Sequence, residues 1–414
     1  MGNTPSSRGE DSNWKSDARY AMESGVFCVI CGGPFDMEGD VYNIDPKEER
    51  YRWLFNFRLL GSPEHVLEHK VTSEEVDLIN TSRSEDVFLS EPAWFSMTGC
   101  GYIRVGGDAY GGDAWFDALC DDSDADTLFP LHDVCIKISC RIIDNSKANR
   151  TDIAQLPALT VLNRVLQTRF RANAHAPFEM RNDILDLCAI WEEYLPRSVI
   201  GLTKLEWWGG EYEKYYANPL NVPDITSFAL GVLKASPNRK HFDDCIPATT
   251  RAPHSLERLP PELLDQICNY LPATSVITLH RVSKTLTHNV PLDNTFWRNS
   301  LLNGSLLPHI WDFDKSELGT PAFETFSDWK IVAKLLAERR FPISGRDRRL
   351  EDIPNGLWNR CRIWSIMEEA INLYFLDTPH KHGSNGAIDI PYQHSLPEHD
   401  ETLIFGDLDA VTPR

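Results

Sequence analysis

Leu256-Glu257-Arg258-Leu259-Pro260-Pro261-Glu262-Leu263-Leu264-Asp265-Gln266-Ile267-Cys268-Asn269-Tyr270-Leu271-Pro272 carries the start and stop signals of a short helix. Proline suits a first helical turn, where its missing amide hydrogen has no intrahelical partner. Glu262 and Asp265 then sit near the positive end of the helix dipole. Leu263, Leu264, Ile267, Cys268 and Leu271 fall on one face, with Glu262, Asp265 and Asn269 elsewhere, and Pro272 ends the run. Downstream, Thr274 or Ser275 can cap a second short helix bearing Val276, Ile277 and Leu279. A third begins near Val282-Ser283-Lys284 and carries Leu286. Asp293 is the expected cap of a fourth, whose Phe296, Trp297, Ser300 and Leu301 share a face. A unit of this size, residues 255–302, is marginal alone. Leu259, Pro260, Ile267 and Leu279 are more apolar surface than one small core consumes, so a partner protein is expected to cover the excess.

Outward from this module the chain changes character. The full 414 residues suit two or three domains, and 42% hydrophobic with 25% charged residues is ordinary for globular proteins. Residues 1–24 are polar and read as a disordered tail. Residues 25–235 read as an α+β domain: aromatics, cysteines and turn signals come first, including a short strand at Val26–Ile30. Helical spacing follows at Leu156, Leu159, Val161, Leu162, Val165 and Leu166, and again between Asn182 and Trp191. The proline-bearing stretch 236–254 reads as a linker. Beyond the module, residues 303–391 form a helical region with helices near Trp329–Arg340 and Trp358–Phe375, and 392–414 is an acidic tail. The expected class is α+β and mainly helical.

The order LPPELLDQICNYL, VITLHRVSK, NTFWRNSLL resembles the F-box family along the length of the module. Leu286 stands where many members carry an aromatic residue. The resemblance implies that this part docks a Skp-type adaptor of a cullin-based (SCF) ubiquitin ligase while the rest of the chain selects an unknown protein substrate. By position, Leu259, Pro260, Ile267, Leu271, Val276, Leu279 and Val282 are then the docking residues. The N-terminal half is more loosely similar to fungal F-box proteins that carry a CxxCGGPF segment, here Cys28–Phe35, and a later FPxHxxC segment, here Phe129–Cys135. The resemblance implies a non-catalytic subunit.

Cys28-x-x-Cys31 before Gly32-Gly33 has the form of a zinc knuckle: two thiolates on a tight turn can share one ion. A tetrahedral site needs two further soft or imidazole ligands, and His132-x-x-Cys135 has the matching gap. Cys135 with Cys140, or Cys100 with Cys120, are alternative second halves. One structural zinc is the expected cofactor; buried apolar thiols and an ordinary hydrogen-bonded histidine are the alternative.

Other features exclude or compete. Lysine and arginine total 41 against 61 acidic residues, a net charge of -20 that repels phosphate backbones and argues against nucleic acid. No apolar run is long enough to span a bilayer. Ten thinly spread cysteines and no signal-like start fit reduced thiols in the cytoplasm or nucleus. Met1-Gly2 with Ser6 fits the loose N-myristoylation pattern, but no basic cluster supplies a second membrane signal. The duplicated GGDAYGGDAW at Gly106–Trp115 lacks the ending of a phosphate loop, and Asp122, Asp124 and Asp126 lack the glycine and glutamate of a calcium loop. Trp207 and Trp208, with Tyr215 and Tyr216, suit either a recognition surface or a closing core. Catalysis has no nucleophile elbow or His-Glu-x-x-His to rest on. The competing function is a zinc-dependent interaction protein without a ligase role.

Overall fold

The computed structural model describes residues 27–33, 35, 47–68, 80–82, 86–95, 102–105, 114–119, 127–147, 153–177, 180, 183–185, 187, 213–235, 255–290, 292–318, 328–337 and 353–377. Outside these lie the Gly2 pattern, most of the glycine duplication, the acidic turn, Cys100, Cys120, Trp207, Trp208, the linker and the acidic tail. The architecture is mainly helical α+β. The chain divides into two compact units. One runs to Leu220 and resumes at Trp358; the other spans Asn221–Leu357.

In the first unit an antiparallel sheet is built on β1 (Phe57–Gly61). Along one edge of β1 lie β2 (Phe88–Leu89) and β3 (Ala93–Phe95), followed outward by β4 (Tyr102–Val105) and β5 (Ala114–Asp117). Along its other edge runs β6 (Phe129–His132), in the register Phe57↔His132 to Leu60↔Phe129. A short helix α1 (Pro63–Glu68) follows β1. Directly after β6 comes α2 (Asp133–Lys147), which packs on α3 (Ala158–His175). Buried Val134, Ile138, Ile142 and Ile143 on α2, and Val161, Leu162, Val165, Leu166 and Phe170 on α3, make the core of this layer. Of the expected strand at Val26–Ile30, the described residues keep a single bridge at Phe27, and Val29–Cys31 turn so that both cysteines face the same point. Of the helical spacing expected after Asn182, the described residues Asp183–Leu185 form a bend, with Asp183 holding Leu185 N–H and pairing with Arg169 at 2.6 Å. The single turn α4 (Glu213–Tyr216) closes this part with both tyrosines buried.

The second unit opens with α5 (Ile225–Ala235). After the turn Ser255–Arg258 come α6 (Pro261–Tyr270), α7 (Ala273–Val282), α8 (Lys284–Asn289) and α9 (Asn294–Leu302). Pro261 occupies the first turn of α6, and α7 starts after Pro272 with no side-chain cap, so neither Thr274 nor Ser275 serves. Ser283 caps α8 through the amides of Thr285 and Leu286, and Asp293 caps α9 through Phe296 N–H at 2.8 Å. Leu264, Val276, Leu286 and Val290 form an aliphatic core, with Leu256, Leu259, Cys268, Leu271, Leu279, Leu292 and Phe296 packed half-buried around it. Next, α10 (Trp329–Leu336), capped by Asp328, buries Trp329 and packs on α5 and α9.

The last helix, α11 (Asn355–Asp377), belongs to the first unit from Trp358 onward. The sequence places α5 with the N-terminal region and α11 with a C-terminal one; the packing exchanges them. The reason lies in α11 itself, where Asn359, Arg360 and Arg362 are buried among apolar neighbours and bind backbone carbonyls of the first unit. Among the described residues no helix is long and apolar enough to cross a membrane.

Candidate functional site

Cys28, Cys31, His132 and Cys135 are fully buried, and their ligand atoms all lie within 4.8 Å of one another. Two local structures bring them there. The first is the turn Cys28–Gly33, closed by Cys28 N–H to Gly33 O at 2.9 Å and Gly32 N–H to Cys28 O at 2.8 Å. Gly32 sits at φ +68°, a left-handed conformation that glycine adopts without penalty. Gly33 N–H points at Cys31 Sγ, 3.3 Å away. A Cβ at Gly33 would lie 3.2 Å from both Cys31 Sγ and His132 Cε1, so the second glycine is needed for space.

The second structure is the junction of β6 and α2, which puts His132 at the strand end and Cys135 in the first helical turn. Asp133 anchors that junction: its N–H donates to Asn56 O at 3.0 Å, and its carboxylate pairs with Arg58 at 3.0 Å and Lys137 at 2.6 Å. His132 Nε2 lies 3.0 Å from Leu54 O, which can only accept, so Nε2 carries a proton and Nδ1, 3.2 Å from Cys31 Sγ, is the nitrogen left to ligate. Phe35 and Trp53 stand edge-on to the imidazole, with ring centres 4.8 and 5.1 Å away, and shield it from water.

Without an ion, Cys31 and His132 each favour the other's charged form. Burial opposes charge on Cys31, yet hydrogen bonds from Cys135 and Cys28 and the charge of His132 hold its thiol well below the ordinary value. Burial likewise opposes charge on His132, but the Cys31 thiolate outweighs it and pushes the imidazole up to about 10. Cys135 is pushed up, first by burial and then by the hydrogen bonds its thiol donates to Cys28 and Cys31. A cation would displace the protons that the thiols still carry and the one on His132 Nδ1, and take the four groups as ligands. Three thiolates and one imidazole form a soft tetrahedral donor set, whose edges around zinc are about 3.8 Å for sulfur at about 2.3 Å from the metal. The widest separation would therefore close by about an ångström around such an ion, while the 3.2 Å contact of Cys31 with His132 would open slightly. Cys140 stands apart on α2, its thiol pushed up to about 12 by burial and by Asp144.

The expected docking residues divide on inspection. Val276 is only 2% exposed and sits in the module's own core, so it is removed from any docking face: α7 turns it toward Leu264 and Leu286. Leu259, Leu271 and Leu279 are half-buried against the same core. Ile267 is half-buried, Pro260 is exposed, and Val282 is 70% exposed. Two residues outside the expected docking set complete the face. Leu263 is 44% and Tyr270 90% exposed, and with Ile267 they follow i, i+4, i+7 spacing along one side of α6. A bare leucine and tyrosine on a ten-residue helix make an unpartnered apolar stripe.

Against known families, residues 256–287 match the F-box domain. The match covers α6, α7 and most of α8; α9 with Trp297 lies beyond it. No curated protein and no solved structure matches the chain.

Proposed function

We propose that the chain is a non-catalytic adaptor: its F-box domain docks a Skp-type protein of a cullin-based (SCF) ubiquitin ligase, and the remainder presents a protein substrate. The observation that carries this reading is the F-box match over a helix whose Pro260, Leu263, Ile267 and Tyr270 stay outside the module's own core. Helix-in-groove recognition uses such i, i+4, i+7 anchors, and exposed tyrosine is the residue type that dominates interface energies. The test is capture of a purified Skp-type adaptor by the full chain. Wild type retains it; Leu263→Asp with Tyr270→Asp loses it while the melting profile stays unchanged. Equal capture by the double variant overturns the docking face, and no capture by wild type overturns the adaptor role.

We further propose that the ion suited to Cys28, Cys31, His132 and Cys135 is one structural zinc, supported by the buried three-sulfur, one-nitrogen donor set with no open position for chemistry. Elemental analysis of protein purified without added metal should find about one zinc per chain. Absence of metal, with melting indifferent to chelator, removes it.

A further inference from the structure

The metal cluster is tied to the last helix by a buried arginine that its coordination does not require. Arg362, on α11 and 1% exposed, donates from Nη1 to the backbone carbonyl of Cys31 at 2.7 Å. Its Nε and Nη2 donate to Asn359 Oδ1 at 3.1 and 3.0 Å, and its guanidinium lies 5.0 Å from the ring centre of Tyr215. Asn359 in turn donates to Tyr215 O at 2.9 Å and Ala217 O at 3.0 Å. One residue on, Arg360 donates to Pro219 O at 2.6 Å and Leu220 O at 3.1 Å. The other side of the cluster closes on the same place. His132 contacts Leu54 O, and the adjoining Trp53 indole donates to Tyr216 O at 2.9 Å. The knuckle, the segment Tyr215–Leu220 and the start of α11 thus form one hydrogen-bonded ring within the first unit.

We propose that Arg362 is a positioning residue for the metal centre, and that the loaded knuckle is the latch on which α11 and the Tyr215–Leu220 segment are seated. The inference rests on the metal reading above and deepens it. Two physical reasons support it. A dication with three thiolates and a neutral imidazole carries a net charge of minus one, and the permanent cation of Arg362 is hydrogen-bonded to the backbone of a ligand residue. Groups that orient a metal ligand from outside hold its geometry, and losing one costs roughly ten- to a hundredfold in metal affinity. The latch also has a consequence for chain organisation. The first unit releases the chain at Leu220 and takes it back at Trp358, and Arg360 and Asn359 bind the outgoing segment at the point of return. Losing the ion therefore loosens both ends of the excursion together.

The experiment uses the full chain. Cobalt replaces the native ion to give thiolate charge-transfer and tetrahedral ligand-field bands, chelator competition gives the release rate, and hydrogen exchange is read at 213–220 and 358–377. Arg362→Gln should speed metal release roughly ten- to a hundredfold, shift the cobalt bands and deprotect both segments. Arg362→Lys restores charge without the planar fork and should recover only part of the retention. Arg360→Gln, which touches the same segment but not the knuckle, should deprotect 213–220 and leave the bands and release rate unchanged. If Arg362→Gln does not fold, wild type with and without chelator still decides, since stripping the ion should deprotect 213–220 and 358–377. Unchanged bands and release in Arg362→Gln, or segments indifferent to chelator in a zinc-containing wild type, overturn the latch. A wild type that never binds metal instead overturns the metal reading on which it rests.

Discussion

The helical module that matches the F-box and the unit built around the cysteine–histidine cluster solve the problem of cohesion in opposite ways. The module closes on four aliphatic side chains, Leu264, Val276, Leu286 and Val290, drawn from a stretch of 27 residues, and it leaves Leu263, Tyr270 and Val282 uncovered. The first unit closes over long sequence separations: Cys31 meets His132 across 101 residues, and Arg362 meets Cys31 across 331. Local aliphatic packing is sufficient for a small helical hairpin and leaves apolar surface for a partner. Segments this far apart in sequence are held by stronger, directional ties, which here are thiols, an imidazole and buried arginines reading carbonyls. Exposed apolar surface and directional ties are thus found in different parts of the chain.

The largest effect that would break this contrast is loss of the ion. Cys31→Ser removes one of three thiolates and should empty the site. Structural zinc sites contribute on the order of 10 kcal/mol of apparent binding free energy, so the first unit should lose its cooperative transition. Calorimetry with metal analysis checks this, while capture of a Skp-type adaptor by the same variant should persist. Next comes the inward residue of the module. Val276→Asp buries an unpaired carboxylate in the aliphatic core and should cost more than about 4 kcal/mol, abolishing the module's fold and its adaptor binding together. Val282→Asp, six positions on and exposed, should change stability by less than about 0.5 kcal/mol and yet weaken adaptor binding about tenfold. Circular dichroism and a binding titration separate the two. Equal loss of fold in both variants would mean that α7 presents no outer face.

That pair also shows where reading residues alone runs short. The module was legible because prolines and caps punctuate it, and Ser283 and Asp293 act where their side-chain chemistry suits them. The rotation of α6 was not, because Leu263, Leu264, Ile267, Cys268 and Leu271 cover an arc wider than the core can take. Only packing decides that Leu264 points in and Leu263 out. At the metal cluster, two-residue gaps in Cys28–Cys31 and His132–Cys135 were informative because ligand spacing is a local property of a turn and a helix start. The helix α2 beginning beside His132 was not expected, although Val134, Ile138 and Ile142 at four-residue spacing carry its signal. Arg362 had a fainter signal: two arginines, Arg360 and Arg362, inside an otherwise apolar run cannot both face water on a helix buried all round. Which carbonyls they reach depends on segments more than 100 residues away, and no periodicity encodes that.

The smallest effects come from one glycine in each unit. Gly33→Ala places a Cβ 3.2 Å from Cys31 Sγ and His132 Cε1, tighter than ordinary packing, and the two ligands can yield only by leaving their positions. A cost of about 1 kcal/mol in the melting of the first unit is expected, with weaker metal retention. Gly231 lies inside α5, where a Cβ meets nothing within 4 Å, in the wall of a cavity of about 490 Å³ bordered by Phe228, Val232 and Pro354. There the methyl restricts the unfolded chain and favours the helix without a steric charge against it, so Gly231→Ala should raise stability by roughly 0.5–1 kcal/mol. Denaturant titrations of the two single variants read opposite signs if the contrast holds. A destabilising Gly231→Ala would mean that the cavity wall is tighter than its geometry states, and a neutral Gly33→Ala would mean that the knuckle has slack which a bound ion does not take up.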